Sequence, residues 1–119
     1  MDSKELGEEG ERIAVLHLKK LGHEIIELNY RFGHLEVDII SKIDNVYHFH
    51  EVKTRATDEF GEPWQSVKKS KQAQIIKVAD HFMKNRNLNN DCYFNIFSII
   101  INKKLMELEY IEDAFYPMG

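Results

Sequence analysis

The chain has 119 residues, 43% of them hydrophobic and 30% charged, which suits one folded domain over residues 1–119 and leaves too little chain for two independent cores. Its 16 basic residues stand against 20 acidic ones, and a formal net charge of −4 excludes a function resting on a general basic coat over nucleic acid. No apolar run approaches the roughly 18 residues of a membrane span, the acidic start MDSKELGEEGER has no signal-like core, and the lone Cys92 can form no internal disulfide, so a cytoplasmic protein with no membrane partner is expected.

Residues 6–21 are predicted helical, with Leu6, Gly10, Ile13, Ala14, His17 and Leu21 on one face, Glu11 at its edge and Gly22 as the stop. A strand follows over 24–31, with Ile26, Leu28 and Tyr30 alternating, then a turn at Gly33. A second strand over 35–42 places Leu35, Val37 and Ile39 on one face and Glu36, Asp38 and Ile40 on the other. The Asp44-Asn45 turn closes an antiparallel hairpin with a third strand over 46–54. There Tyr47, Phe49, Glu51 and Lys53 share a face, opposite Val46, His48, His50 and Val52. A polar loop over 56–63 leads to a long helix over 66–86, striped by Ile75, Ile76, Ala79, Phe82 and Met83. The β-branched and aromatic run over 92–101 reads as a fourth strand, the Asn102-Lys103 pair as a turn, and 104–111 as a fifth strand with Met106, Leu108 and Tyr110 alternating. The order α-β-β-β-α-β-β predicts an α/β fold, a mixed sheet with helices on its faces.

The informative residues are polar ones at strand positions that ought to pack. Antiparallel neighbours can bring Asp38 close to Glu51, and two carboxylates by themselves repel until one takes up a proton. A divalent cation removes that conflict, and Mg2+ or Mn2+ suits two carboxylates, the Val52 carbonyl and waters. Lys53, two residues past Glu51 and on its face, would sit beside a water at the ion. Glu11 would join the outer shell or support a second ion. Arg55 suits a phosphate, which a guanidinium grips with two parallel bonds. Lys71 and Gln72 begin the exposed side of the long helix, within reach of substrate, in a lysine cluster with Lys68 and Lys69.

Plainer readings exist for the same residues. Glu51 and Lys53 on an exposed strand would form a cross-strand ion pair with Asp38, and the lysines a solvated helix face. The His48-x-His50 pair has no third ligand in register for zinc and is expected to face a neighbouring element or solvent. His17 suits a hydrogen-bonded core position, and Cys92 reads as core. His34, on the Asp38 face, would touch the rim of the site, and Trp64 would anchor the loop to the long helix or stack on a base.

Asp38 followed thirteen positions later by Glu51-Val52-Lys53, on a hairpin after a helix carrying Glu11, resembles the PD-(D/E)XK nuclease signature as Holliday-junction resolvases carry it. The chain is more similar still to the YraN-like family of uncharacterised bacterial proteins described as endonucleases. The matching stretches are Gly7-x-x-Gly10-Glu11-x-x-Ala14, Asn29-x-Arg31, Glu36-Val37-Asp38-Ile39-Ile40, Phe49-x-Glu51-Val52-Lys53-Thr54-Arg55, Phe60-Gly61-x-Pro63, and Val67-x-x-x-Lys71 with Ala79. It departs at Leu35, where the family usually has Gly, and at His50, where it usually has an apolar residue.

The resemblance implies a restriction-endonuclease-like core and Mg2+- or Mn2+-dependent cleavage of DNA phosphodiesters, branched or junction DNA included. It implies Asp38, Glu51 and Lys53 as catalytic residues, and Asp38, Glu51, Val52 and Glu11 at the metal. Arg55, Lys71 and Gln72 would contact the nucleic acid, and the protein would act as a homodimer, as resolvases do. The alternative is a non-catalytic module that keeps the fold, either a nucleic-acid-binding one or a protein-assembly one, and the net charge and the four acids from Glu107 to Asp113 favour assembly.

Overall fold

A computed structural model describes residues 1–57 and 67–117. Phe60, Gly61, Pro63 and Trp64, and the predicted start of the long helix at Ser66, lie outside the described residues. The elements follow the predicted order: α1 (Ser3–Lys20), β1 (Glu24–Phe32), β2 (Leu35–Ile43), β3 (Val46–Arg55), α2 (Lys69–Asn85), β4 (Cys92–Ile101) and β5 (Met106–Phe115). Among the described residues, no helix is long and apolar enough to cross a membrane.

Local chemistry explains the ends of α1. The Asp2 carboxylate accepts the Glu5 N–H at 2.8 Å and caps the first turn. At the other end His23 N–H donates to the Leu18 carbonyl and Gly22 N–H to that of Lys19, with Gly22 at φ +95°, a conformation that favours glycine. Leu18 therefore completes the buried face with Gly10 and Ala14. The predicted contributor Leu21 is already in the cap and 48% exposed.

The five strands lie in the order β1-β2-β3-β4-β5. The β3–β4 pair is parallel and the other three are antiparallel, because α2 is the crossover that returns the chain in the same direction. Two apolar layers result. On the α2 side, Ile75, Phe82 and Met83 pack against Val37, Ile40, Tyr47, Phe49, Phe94 and Ile96. On the α1 side, Ala14 and Leu18 pack against Ile39, Phe97 and Ile99. β5 runs on past the predicted end to Phe115, which pairs with Phe94 across a bulge.

The predicted alternation fails in one region. Val37 and Ile40 both join the α2 layer, whereas Ile39 joins the α1 layer, so the period of two breaks between Val37 and Ile39. Neighbouring β1 is irregular too, with a bulge between Ile25 and Glu27 and a left-handed Asn29 at φ +50°. Ile26 and Tyr30 accordingly pack on the α2 side, while Leu28, predicted to share their face, is 51% exposed. The residue at the centre of the break is Asp38.

Candidate functional site

Pairing between β2 and β3 runs from Ile43–Val46 to Ile39–His50 and stops there. One more step would set Asp38 opposite Glu51. Instead the Asp38 side chain enters the ladder, its Oδ2 accepting the Val52 N–H at 2.8 Å. Glu51 belongs to the β3 face that carries Tyr47 and Phe49 into the α2 layer, and it is 5% exposed. Its Oε2 is buried and, among the described residues, has no hydrogen-bond partner. Lys71 Nζ of α2 forms an ion pair with that oxygen at 3.7 Å, longer than a hydrogen bond. Burial pushes the Asp38 carboxyl up to about 8, and the adjacent Glu51 charge and a hydrogen bond between the two side chains push the same way. Asp38 is thus favoured in its protonated form into the neutral range.

Glu11 reaches this region because Gly10 lets α1 lie directly on β3. A Cβ at Gly10 would come within 1.8 Å of Thr54 Oγ1. The next residue, Glu11, accepts a hydrogen bond from Asn29 Nδ2 at 2.9 Å, and the same amide reaches Glu36 Oε1 at 3.3 Å. Glu36 in turn pairs with Arg31 at 2.9 Å. Burial raises the Glu11 carboxyl, the Asn29 bond opposes this, and the charges of Asp38 and Glu36 add to the rise. Glu11 therefore flanks Asp38 from the α1 side. Among the described residues, no three His, Cys, Asp or Glu side chains converge as a ligand set. The innermost donors are Asp38 and Glu51, with the Val52 main chain between β2 and β4.

Those donors suit a hard divalent cation. Such an ion takes one or two carboxylates and completes its shell with carbonyls, waters or substrate oxygens. A buried carboxylate oxygen without a hydrogen bond among the described residues, next to a carboxyl whose protonated form burial favours, is the arrangement that a cation would relieve.

Lys53 follows on the Glu51 face and is half-buried. Arg55 ends β3, and its Nε and Nη1 are buried with no hydrogen-bond partner among the described residues. Gln72 differs from its predicted exposed placement: it is half-buried, and its Nε2 donates to the Val67 carbonyl at 3.0 Å, tying the helix start to the preceding chain. Lys71 is likewise half-buried and turned to Glu51, while Lys68 and Lys69 are exposed. His34 is exposed in the β1–β2 turn.

Sequence reasoning missed a buried polar network on the opposite face of β3. His23, Ser41, His48, His50 and Asn95 are all under 9% exposed. Ser41 Oγ lies 2.8 Å from His23 Nδ1 and 2.7 Å from His50 Nε2. Asn95 Nδ2 lies 2.9 Å from His48 Nδ1 and donates to Tyr110 Oη at 2.9 Å, while its Oδ1 accepts the Asp113 N–H. Burial lowers all three histidines, His48 to about 4 and His50 well below its ordinary range; His23 lowers His48 further, and His48 and His23 lower His50. They are neutral, packed residues, and the strand face of His48 and His50 was the one available signal.

Residues 10–101 match the uncharacterised protein family UPF0102. A UPF0102 protein of Christiangramia forsetii is 43% identical over 115 residues, covering 97% of each chain. One from Alkaliphilus metalliredigens is 40% identical over 114 residues, covering 95% of this chain and 99% of the relative. One from Caldicellulosiruptor saccharolyticus is 38% identical over 118 residues, covering 97% and 100%.

Proposed function

Because the chain belongs to the uncharacterised protein family UPF0102, the YraN-like family of its motifs, whose description carries no activity, we propose a function from the site itself. The protein is a divalent-metal-dependent endonuclease of the PD-(D/E)XK superfamily, with a restriction-endonuclease-like core, that hydrolyses DNA phosphodiesters in the cytoplasm. The observation that carries this reading is the buried Glu51 Oε2, which has no hydrogen bond among the described residues, beside Asp38 at the point where β2 leaves β3.

Asp38, Glu51 and the Val52 carbonyl would hold Mg2+ or Mn2+, with Glu11 in the outer shell, and the ion would supply Lewis-acid stabilisation of phosphate charge and acidify a water. The chain's own residues do the rest. Val52 N–H fixes the Asp38 carboxylate through its 2.8 Å bond to Oδ2. The Lys53 ammonium, on the same strand face as Glu51, orients the attacking water and offsets the negative charge that develops on the phosphoryl oxygens. Arg55 offers a phosphate oxygen pair two N–H groups that are buried and without hydrogen-bond partners among the described residues. Lys71 neutralises the neighbouring phosphate, and Gln72 offers the amide hydrogen that its bond to the Val67 carbonyl leaves over. The net charge of −4 makes such local cations necessary for a polyanion to approach. Branched DNA with two symmetric scissile strands would call for a homodimer.

The test is cleavage of labelled duplex, single-stranded, flapped and four-way-junction DNA with Mg2+ or Mn2+, with Lys53→Ala alongside. We expect metal-dependent cutting that the variant loses by about 100-fold or more, the scale of a lost charge-stabilising donor. No cutting of any substrate, at concentrations where binding is measurable, would leave a nucleic-acid-binding module instead.

A further inference from the structure

Lys71 was expected to point outward toward substrate, yet it faces inward to the oxygen that a cation would use. Its Nζ lies 3.7 Å from Glu51 Oε2, the atom that has no hydrogen bond among the described residues. At that length the contact is a charge pair without a directional bond, and it is exchangeable on that account. The helix does not favour an ammonium there. Lys71 lies in the first turn of α2, at the positive end of the macrodipole, where anions are stabilised and cations are not. That turn contains no acid, and its N-cap Lys68 makes no capping bond. Among the described residues, Glu51 is the one carboxylate paired with Lys71.

Resting on the proposed nuclease reading, we infer that Lys71 competes with the divalent cation for Glu51. The two positive groups have the same oxygen as partner and cannot both occupy it. When the ion takes Glu51, the Lys71 ammonium loses its partner and becomes available to a phosphate of the polyanion. One side chain thereby links cation binding to nucleic-acid binding, and the linkage is reciprocal. Lys71 is in this sense a positioning residue that acts on the metal ligand.

The competition predicts that removing the ammonium tightens cation binding. We would titrate the full-length chain with Mg2+ alone by calorimetry at fixed ionic strength, comparing wild type with Lys71→Met, Lys71→Gln, Lys71→Arg, Lys69→Met and Asp38→Asn, each checked for an unchanged melting profile. A partly exposed ion pair implies a gain of about three- to fivefold in affinity for Lys71→Met and Lys71→Gln. Lys71→Arg, which keeps the charge, and Lys69→Met, which removes one from the same helix end without touching Glu51, stay within about twofold of wild type. Unchanged or weaker binding in both Lys71 truncations, with binding still lost in Asp38→Asn, overturns the competition and leaves the metal reading standing. An equal gain in Lys69→Met also overturns it, because the effect would then be through-space charge. If wild type binds the ion no better than Asp38→Asn, the metal reading itself falls, and the competition with it.

Discussion

At Asp38, burial and the neighbouring Glu51 both favour the protonated carboxyl, and the consequence is a stability that runs against pH. A group whose folded pKa lies above its unfolded value stabilises the fold fully below the unfolded value and loses that contribution as pH rises through the folded one. For Asp38 the window runs from the ordinary 3.8 up to about 8. Asp38→Asn has no proton to lose, and its Oδ1 can still accept from Val52. In metal-free buffer the variant should melt several degrees above wild type beyond pH 8, and the gap should close toward pH 4. Adding Mg2+ should raise the melting temperature of wild type alone, since a ligand of the folded state stabilises it. A wild type that melts above the variant at high pH would show that Asp38 is not held protonated. Asn29 illustrates the same local tension. It adopts a left-handed conformation inside a strand, and its amide joins Glu11 to Glu36. Non-glycine residues persist there when surrounding structure determines them, as at ligand sites.

The element that brings Glu11 to the site is α1, and it does so through a single close approach. The Cβ built at Gly10 meets Thr54 Oγ1 at 1.8 Å, Cβ at 2.9 Å and Cγ2 at 3.0 Å, so rotation of the threonine alone does not make room. Gly10→Ala must lift α1 from β3, which should cost about 1–3 kcal/mol in denaturant unfolding, the range for overpacking a tight interface. Combining it with Thr54→Ala removes two of the three clashing atoms and should restore part of the loss. Additive effects of the two changes would mean that the helix does not rest on Thr54. Gly7, one turn earlier, has nothing within 4 Å of a built Cβ, so Gly7→Ala should be tolerated there. The acidic run on β5 also acquires a physical reading at this scale. β5 is an edge strand, and exposed Glu107, Glu109, Glu112 and Asp113 charge its flank, which discourages pairing with another chain.

Across the molecule, the sheet separates two chemistries: Glu51 with Lys53 and Lys71 toward α2, and a neutral histidine network on the other face. The histidines give an acid dependence of the opposite sign to Asp38. A base whose folded pKa is depressed contributes stability above its unfolded value of 6.5 and loses it as pH falls toward the folded one, about 4 for His48. The two trends overlap in wild type. In the Asp38→Asn background the largest opposing trend is gone, and melting temperature should fall from pH 6.5 to 4. Adding His48→Gln, which has no ring to protonate and can still meet Asn95, should flatten that fall. An unchanged slope would place the acid sensitivity elsewhere.

Periodicity and turn chemistry were enough to read the seven elements among the described residues, the β2–β3 hairpin and the strand face shared by Glu51 and Lys53, because each depends on residues close in the chain. Cys92–Ile101 even has its predicted bounds, since a β-branched run between polar turns admits little else. The family was legible for the same reason, as spaced motifs on one line of sequence. Only the tertiary structure decided that β2 breaks its alternation at Asp38, that Gly10 on Thr54 delivers Glu11, that Lys71 turns inward, and that His23, Ser41 and Asn95 join His48 and His50. A strand pattern assumes an unbroken ladder, and it cannot register a side chain that replaces a main-chain acceptor. The other partnerships join residues far apart in sequence, and they exist because packing both faces of one sheet leaves these groups no water to turn to.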